Sequence, residues 1–272
     1  MPCVKTLLIC HADDPLTHES MARWLASFSE LAGIVLIEEP GSRMRQRIRR
    51  EVRRVGMLRF IDVLAWRFYQ RLILARHDRA WEAGALARIR ARYPATPENT
   101  PVLRTASPNS ESAFSFMHTL QPDLVIARCK TLLKKSVFDI PAHGTWVMHP
   151  GICPEYRNAH GCFWALANGD DERVGMTLLR IDAGIDTGPV YDYYQCAIDP
   201  VNDTPAVINH RVVLDNLDAL QQRFVEIVAG TAQPITTAGR DSAEWGQPWL
   251  SRYLRWKWRA RQARGWQARS AG

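Results

Sequence analysis

The feature that most constrains this chain is a series of short apolar segments separated by stretches with helical periodicity. "VKTLLIC" near the N-terminus, "GIVLIEE", "PDLVIA" and "GTWVMH" each have the length of a strand and few polar residues. Uninterrupted apolar strands are typical of a parallel sheet covered by helices on both faces. A chain of 272 residues can bury a core of that kind. The sequence therefore predicts an α/β fold with a doubly wound, mostly parallel sheet.

Capping signals predict where several helices begin and end. The helix over "ESMARWLASFSELAG" should end with Gly33 as its C-cap, and Asn109 or Ser110 should cap a later helix. One long helix is expected from Pro205, a residue favoured in a first turn, to Gly230. "RIDAGIDTGPV" (180–190) joins two β-rich segments as a tight hairpin, in which Gly184 and Gly188 are expected to allow positive φ.

The net charge of +7 is concentrated in two segments. Between Arg43 and Arg79 there are twelve arginines and three acids, and from Arg252 to Arg269 there are seven basic residues and no acid. Apolar residues at helical spacing predict an amphipathic helix, split at Gly56, and they are Ile48, Val52, Val55, Leu58, Ile61, Leu64, Phe68 and Leu72. We predict one domain over residues 1–235 with a helical insertion at 43–92, followed by a basic extension over 236–272.

Three interpretations are open for the basic segments. They form the solvated faces of packed helices, or they attach the protein to an anionic membrane, or they bind nucleic acid. Nucleic acid is the least favoured partner, because no recognition motif accompanies the charge. No apolar segment reaches the roughly 18–20 residues of a membrane-spanning helix. The six cysteines form no CxxC pair, so we expect reduced thiols, no zinc site and a cytoplasmic protein, with the inner face of a membrane as a further location.

Two titratable groups stand out on topology alone. His149 ends the strand "GTWVMH", and ligands bind beyond the carboxyl ends of strands in open α/β sheets. Asp182 and Asp186 lie in the glycine-rich turn of the hairpin. A carboxylate beside an imidazole orients it and raises its pKa. These residues are therefore candidate acids or bases, although a buried structural histidine and a simple hairpin remain as alternatives.

Four motifs in order resemble those of the folate-dependent formyltransferases, a family that includes glycinamide ribonucleotide, methionyl-tRNA and amino-sugar formyltransferases. They are "PDLVIARCKTLLKKSVFDIPAHG", the His-Pro step with the loop "HPGICPEYRNAHG", the helix ending in "NGD", and "DAGIDTGP". The resemblance is strong over residues 101–197, weaker over 4–39, and absent from 43–92 and beyond about 235. It implies the Rossmann-like fold of that family.

The resemblance also implies a reaction and a site. The donor would be N10-formyltetrahydrofolate and the acceptor a small-molecule amine, with no metal. His149 and Asp186 match the catalytic histidine and aspartate of the family. The positions that match its pterin-binding loops are Arg128, Cys129, Lys130, Thr131, Leu132, Asp182, Ala183 and Gly184.

One position departs from the family pattern. The family carries a catalytic asparagine two residues before the histidine, and this chain has Val147 there. Losing one oxyanion donor typically lowers turnover by a factor on the order of 10²–10³. Asn158 and His160 are the candidates to replace it. Otherwise the protein is a catalytically impaired relative that binds folate or a membrane.

The acceptor is narrowed by elimination. The loop "HADDPLTHES" has no glycine to cradle a phosphate, which disfavours glycinamide ribonucleotide. About forty residues follow the last long helix, fewer than the C-terminal barrel of methionyl-tRNA formyltransferases needs. An amino sugar of envelope or polysaccharide synthesis is the favoured acceptor. Asp13 and Asp14 either bind its amine or simply begin a helix. A hydrolase that passes the formyl group to water, and a non-catalytic adaptor, are the alternatives.

Overall fold

The computed structural model describes residues 4–38 and 42–270. Within these residues, seven strands form the main sheet in the order β3-β2-β1-β4-β5-β7-β8. Two further strands, β6 and β9, pair with each other at one side. The strands are β1 (Lys5–His11), β2 (Glu30–Ile37), β3 (Val102–Thr105), β4 (Leu124–Arg128), β5 (Thr145–His149), β6 (Arg157–Asn158), β7 (Met176–Arg180), β8 (Val190–Tyr194) and β9 (Glu244–Trp245).

The pairing confirms the predicted sheet. Strands β1 to β5 run parallel, β7 is antiparallel to β5, and β8 is antiparallel to β7 as the second arm of the predicted hairpin. Along β1, Leu7 and Ile9 pack on one face of the sheet, while Leu8 and Cys10 pack on the other. Since successive side chains of a strand point to opposite faces, both faces are buried, and the fold is a doubly wound α/β fold.

Helices cover both faces of the sheet. Helices α5 and α6 pack on one face, and α1, α7, α8 and α9 pack on the other, where α3 and α10 join the same apolar cluster. The helices are α1 (Pro15–Phe28), α2 (Ser42–Val55), α3 (Met57–Tyr69), α4 (Ala75–Arg92), α5 (Glu111–Leu120), α6 (Lys135–Phe138), α7 (Gly161–Asn168), α8 (Pro205–Leu214), α9 (Leu217–Val228) and α10 (Leu250–Ser270). None of these helices, over the described ranges, combines the length and apolar character needed to cross a bilayer.

Two predicted helix boundaries are wrong. Helix α1 ends at Phe28, and Gly33 lies inside β2, where a Cβ would come within 2.6 Å of the Leu120 side chain on α5. The glycine is therefore explained by close packing of a helix on the strand. The single helix expected from Pro205 to Gly230 is two helices, broken at Asn216, whose amide nitrogen donates to Gln195 O and Val212 O.

The helical insertion lies between β2 and β3. Helices α2 and α3 are separated at Gly56, which has φ +80°, as predicted from the sequence. A π-helical turn, Gln70–Leu74, joins α3 to α4. The side chains of α3 that pack inward are Phe60, Val63 and Trp66. This inward set differs from the apolar residues that defined the predicted stripe, several of which are exposed.

Candidate functional site

The candidate site lies where three neighbouring strands of the sheet end. Strands β1, β4 and β5 are adjacent and parallel, and their last residues are His11, Arg128 and His149. The carboxyl ends of parallel strands meet at one edge, which is where open α/β sheets bind ligands. The loop after β5 and the β7–β8 hairpin loop approach the same edge, because Asn158 of the first contacts Asp186 of the second.

His149 is held between two oxygen acceptors. Its side chain is 6% exposed. Nε2 lies 2.8 Å from the carbonyl oxygen of Tyr156, and Nδ1 lies 3.4 Å from Asp186 Oδ2. A carbonyl can only accept, so Nε2 carries a proton in this contact. The structure thus brings together the histidine and the aspartate that the sequence predicted as a pair.

Asp186 has a conformation that is uncommon for a residue with a side chain. Its φ is +50°, in the left-handed region, which is sparsely populated by residues other than glycine and tolerated best by Asn and Asp. Its Oδ2 accepts a hydrogen bond of 2.8 Å from the backbone N–H of Asn158. The strained backbone and this bond together direct the carboxylate toward His149.

The prediction of positive φ at Gly184 and Gly188 is wrong. Neither glycine is in the left-handed region, and close contacts explain both. A Cβ at Gly188 would lie 1.8 Å from Arg180 O, and a Cβ at Gly184 would lie 2.0 Å from Thr187 Oγ1. Asp182 accepts hydrogen bonds from Gly184 N at 2.9 Å and Thr187 Oγ1 at 2.8 Å. The carboxylate of Asp182 therefore stabilises the loop, and Ala183 and Gly184 are exposed at its surface.

The loop after β4 contains the predicted pterin-facing residues Arg128 to Leu132. Arg128 turns inward and donates to Met148 O on β5, so its guanidinium anchors the strand that ends in His149. Cys129 Sγ donates to Thr131 O at 3.4 Å. The side chain of Lys130 is exposed and that of Leu132 is 59% exposed. The loop therefore presents an apolar side chain and backbone groups, which suits the flat face of a pterin.

Two residues that hold this loop were not predicted as part of the site. His11 Nε2 accepts a hydrogen bond of 3.0 Å from Lys130 N. Asn109 Nδ2 donates to Leu132 O, and Asn109 Oδ1 accepts from Lys134 N, both at 2.8 Å. The position of His11 at the carboxyl end of β1 is a signal that could have identified it. Asn109 was considered only as a helix cap, and that role belongs to Ser110.

The two candidates for the missing donor differ in their hydrogen bonds. Asn158 Nδ2 donates to Trp245 O at 2.6 Å and to Glu244 Oε1 at 3.2 Å, so its amide is engaged with β9. The His160 imidazole has no hydrogen-bond partner among the described residues. Burial lowers the pKa of His160 to about 4, and the charges of Lys130 and Arg67 act in the same direction. His160 is therefore neutral at pH 7, with one ring N–H able to donate.

Val147 and Asp14 have structural roles in this arrangement. Val147 packs with Cys153, Leu179 and Val190, so an apolar side chain occupies the position of the family's asparagine. Asp14 caps α1, accepting from Thr17 N at 2.9 Å, as the helix-start interpretation expected. Burial raises the pKa of Asp14, but the charges of His210 and Arg128 and the bonds from Thr17 lower it below the ordinary value.

Over the described residues, no group of three His, Cys, Asp or Glu side chains could hold a metal ion.

The family model described as "Formyl transferase" matches residues 37–224, well over half of the chain. This chain belongs to the formyl transferase family. It is similar to the methionyl-tRNA formyltransferase of Thermus thermophilus, with 34% identity over 156 residues that cover 54% of this chain and 50% of the relative. The chain thus spans about half the length of the curated relatives it matches.

Solved structures share the fold of this family member. A sugar N-formyltransferase from Shewanella sp. FDAARGOS_354 superposes with a TM-score of 0.52 and 13% identity, covering 89% of this chain and 76% of that one. A phosphoribosylglycinamide formyltransferase from Anaplasma phagocytophilum superposes with a TM-score of 0.53 and 12% identity, covering 90% and 99%. At sequence identities this low, the similarity shows a shared fold and nothing further.

Proposed function

We propose that this protein transfers a formyl group from N10-formyltetrahydrofolate to the primary amine of an amino sugar. The observation that carries the proposal is the contact between His149 Nδ1 and Asp186 Oδ2 at the carboxyl edge of the sheet. The two residues are separated by 37 positions, and each is held by its own backbone-directed hydrogen bond. Such a buried acid–imidazole pair suits proton transfer and stabilisation of developing charge.

His149 and Asp186 have complementary roles in this proposal. When the amine adds to the formyl carbon, the formyl oxygen becomes negative and the nitrogen positive. A protonated His149 stabilises that oxygen, and Asp186 stabilises the imidazolium and accepts the proton that the amine loses, directly or through water. The bond between the formyl carbon and N10 then breaks, and N10 takes up that proton as tetrahydrofolate leaves. At 3.4 Å, the Nδ1–Oδ2 contact is longer than a strong charge-assisted hydrogen bond, so the Nδ1 proton can be shared with a substrate oxygen.

His160 replaces the missing asparagine in this proposal. Its imidazole is neutral because burial lowers its pKa to about 4, so it can donate one hydrogen bond without adding a charge. The amide of Asn158 is already bound to β9, and the backbone N–H of Asn158 orients Asp186 instead. His160 is therefore the donor and Asn158 a positioning residue.

The loops after β4 and β7 bind the donor in this proposal. Leu132 provides an exposed apolar surface, and the hydrogen bond from Gly184 N to Asp182 holds the backbone of 182–184 in place. The glycine-free loop after β1, with the Asp14 carboxylate bound at its helix start, favours an acceptor with no phosphate at that position.

A location at the inner face of a membrane stays a prediction, which the exposed side chains of Arg49 and Arg53 on α2 support.

A second acceptor, the amine of methionyl-tRNA, is favoured by a different observation. The matched relatives from Thermus thermophilus and Dehalococcoides mccartyi are methionyl-tRNA formyltransferases, at 34–40% identity. The basic helix α2 offers charge for a nucleic-acid partner. The two acceptor classes are separated by the same assay.

The test follows tetrahydrofolate release from N10-formyltetrahydrofolate with a nucleotide-linked amino sugar, with methionyl-tRNA, and with no acceptor. We expect release that depends on the amino sugar. His149→Ala and Asp186→Asn should each lower kcat/KM by at least about 10², with circular dichroism showing an unchanged fold. Release without an amine would identify a hydrolase, and release only with methionyl-tRNA would identify the second acceptor. An unchanged rate in His149→Ala would contradict the site.

A further inference from the structure

Helix α3 is apolar on two sides, and only one side is buried. The inward side chains Phe60, Val63 and Trp66 are at most 9% exposed. On the other side, and continuing into the π-helical turn, lies a set of large exposed side chains that we term the outer face. It consists of Met57 (66% exposed), Leu58 (85%), Ile61 (59%), Leu64 (37%), Phe68 (64%), Leu72 (75%) and Ile73 (59%).

The outer face is a continuous stripe. Leu58, Ile61, Leu64, Phe68 and Leu72 are three or four residues apart, a spacing that places side chains in a row on one side of a helix. Single exposed apolar residues are common on soluble proteins, whereas contiguous apolar patches mark sites of contact with a partner or a membrane. The stripe predicted from the sequence therefore exists, but it points away from the protein's own core.

Arginines accompany the outer face. Arg67 and Arg71 are exposed within and just beyond α3, Arg53 is exposed near the end of α2, and Arg76 follows the π-helical turn. Among the described side chains, none of these four forms an ion pair with a carboxylate. Some arginines elsewhere are paired: Arg90 binds Glu19 and Arg92 binds Asp218, for example. The arginines near the outer face are thus available to anions outside the protein.

We propose that the outer face of α3 inserts into the interfacial region of an anionic membrane, with the neighbouring arginines on lipid phosphates. A helix that carries a stripe of Leu, Ile and Phe beside arginines has the composition of interfacial membrane-binding helices. A second copy of this chain is a poorer match, because pairing two outer faces would bring arginines against arginines. Charge complementarity favours the lipid surface.

Helix α3, which carries the outer face, packs on the helix that begins at the candidate site. Arg67 lines an open cavity of about 310 Å³, together with Arg71, Arg79, Asp78 and Glu82. Trp66 of α3 lies with its ring centroid 5.8 Å from that of Phe163 in α7, and His160 is the N-cap residue of α7, so α3 packs beside a residue of the candidate site. Binding through the outer face would therefore hold the site beside the lipid surface, where acceptors attached to lipids are found.

The test is sedimentation with vesicles of phosphatidylcholine alone or of equal phosphatidylcholine and phosphatidylglycerol. The native chain should bind the anionic vesicles, and more weakly in high salt. The double variant Leu58→Glu/Phe68→Glu should lower the vesicle partition coefficient at least tenfold. The matched control is Val225→Glu, at an apolar residue of α9 that is 38% exposed, and it should bind like the native chain. Both changes are at exposed positions, so thermal unfolding should be unaffected.

Three outcomes would overturn the inference. The native chain does not bind anionic vesicles, or the double variant binds them as the native chain does, or analytical ultracentrifugation shows a dimer that the double variant abolishes. The last outcome would make the outer face an interface between two copies. Formyl transfer to a soluble acceptor, measured in parallel, should be unchanged by the double variant, so failure of this inference is distinguishable from failure of the proposed function.

Discussion

At the scale of single residues, the site depends on groups whose protonation is set by their immediate neighbours. His149 has an oxygen acceptor at each ring nitrogen, the Tyr156 carbonyl and the Asp186 carboxylate. His160 is different, because its imidazole is half-buried, has no hydrogen-bond partner among the described residues and lies near two positive charges. Two histidines only eleven positions apart thus have different surroundings: His149 faces the Asp186 carboxylate, and His160 is a neutral donor.

The titration of His160 predicts how stability depends on pH. The pKa of His160 in the folded chain is about 4, below the ordinary histidine value of 6.5. Between these values the unfolded chain binds a proton that the folded chain does not, so the free energy of unfolding falls as the pH falls from 6.5 to 4. This contribution is at most about 3 kcal/mol. The free energy of unfolding, measured with urea, should depend less on pH in His160→Gln than in the native chain. The control His118→Gln, at an exposed histidine, should show the same pH dependence as the native chain. If the free energy of unfolding has the same pH dependence in His160→Gln and in the native chain, the lowered pKa of His160 is contradicted.

At the scale of elements, the β7–β8 hairpin positions Asp186, the carboxylate of the proposed mechanism. Asp182 closes the loop by accepting from Gly184 N and Thr187 Oγ1. Gly188 lets the chain pass the carbonyl of Arg180, which a Cβ would meet at 1.8 Å. Because Asp186 lies between these two contacts, its carboxylate depends on a loop whose shape is determined by hydrogen bonds and by the absence of one side chain.

Gly188→Ala should therefore reduce both stability and activity. The added methyl group collides with backbone, which has to shift, and we expect the free energy of unfolding to fall by about 2–4 kcal/mol. Formyl transfer should fall as well, since the displaced loop carries Asp186. Gly84→Ala is the matched control: in α4 the new Cβ would have its nearest neighbour at 3.7 Å, and alanine should be neutral or stabilise by about 0.5–1 kcal/mol. Thermal unfolding and the formyl-transfer assay provide the measurements, and equal behaviour of the two variants would show that the loop tolerates the methyl group.

At the scale of the whole molecule, an aromatic cluster connects segments that are far apart in the chain. Trp66 of the insertion lies with ring centroids 4.9 Å from Tyr253 of α10 and 5.8 Å from Phe163 of α7. Tyr253 in turn lies 5.5 Å from Trp256. The arginine-rich insertion and the basic C-terminal helix therefore pack on the same side of the sheet domain through their aromatic residues, and most of the arginine side chains described in these two segments are exposed.

Trp66→Ala tests this packing. Removal of a buried tryptophan leaves a cavity shared by three helices, and we expect the free energy of unfolding to fall by about 3–5 kcal/mol. Trp258→Ala, at a tryptophan of α10 that is 62% exposed, should change it by less than about 0.5 kcal/mol. Chemical unfolding of both variants gives the comparison. Equal, small effects would mean that the insertion does not pack on the domain through Trp66.

Periodic and sequential patterns were sufficient to predict the sheet, the helix that separates at Gly56, and the approach of a hairpin carboxylate, Asp182 or Asp186, to His149. Apolar segments and glycines determine structure through residues close to them in sequence, and the carboxyl ends of parallel strands lie at one edge of the sheet. These features can therefore be predicted from the sequence. The order of four motifs, through its resemblance to the formyltransferases, selected Asp186 of the two carboxylates and supplied the roles that we propose for both residues.

Contacts between distant segments decided the rest. The sequence predicts Gly33 as a helix cap, whereas the structure shows that it lies in a strand against which α5 packs closely. The sequence does not distinguish Asn158 from His160 as a donor. The structure does, because the side-chain amide of Asn158 is bound to Trp245 of β9, which lies 87 positions later in the chain. The apolar stripe of α3 has the same spacing whether it faces a core or a solvent, because helical periodicity specifies a face and leaves its partner open. Only the packing of Trp66 against α7 and α10 determines that the stripe points outward.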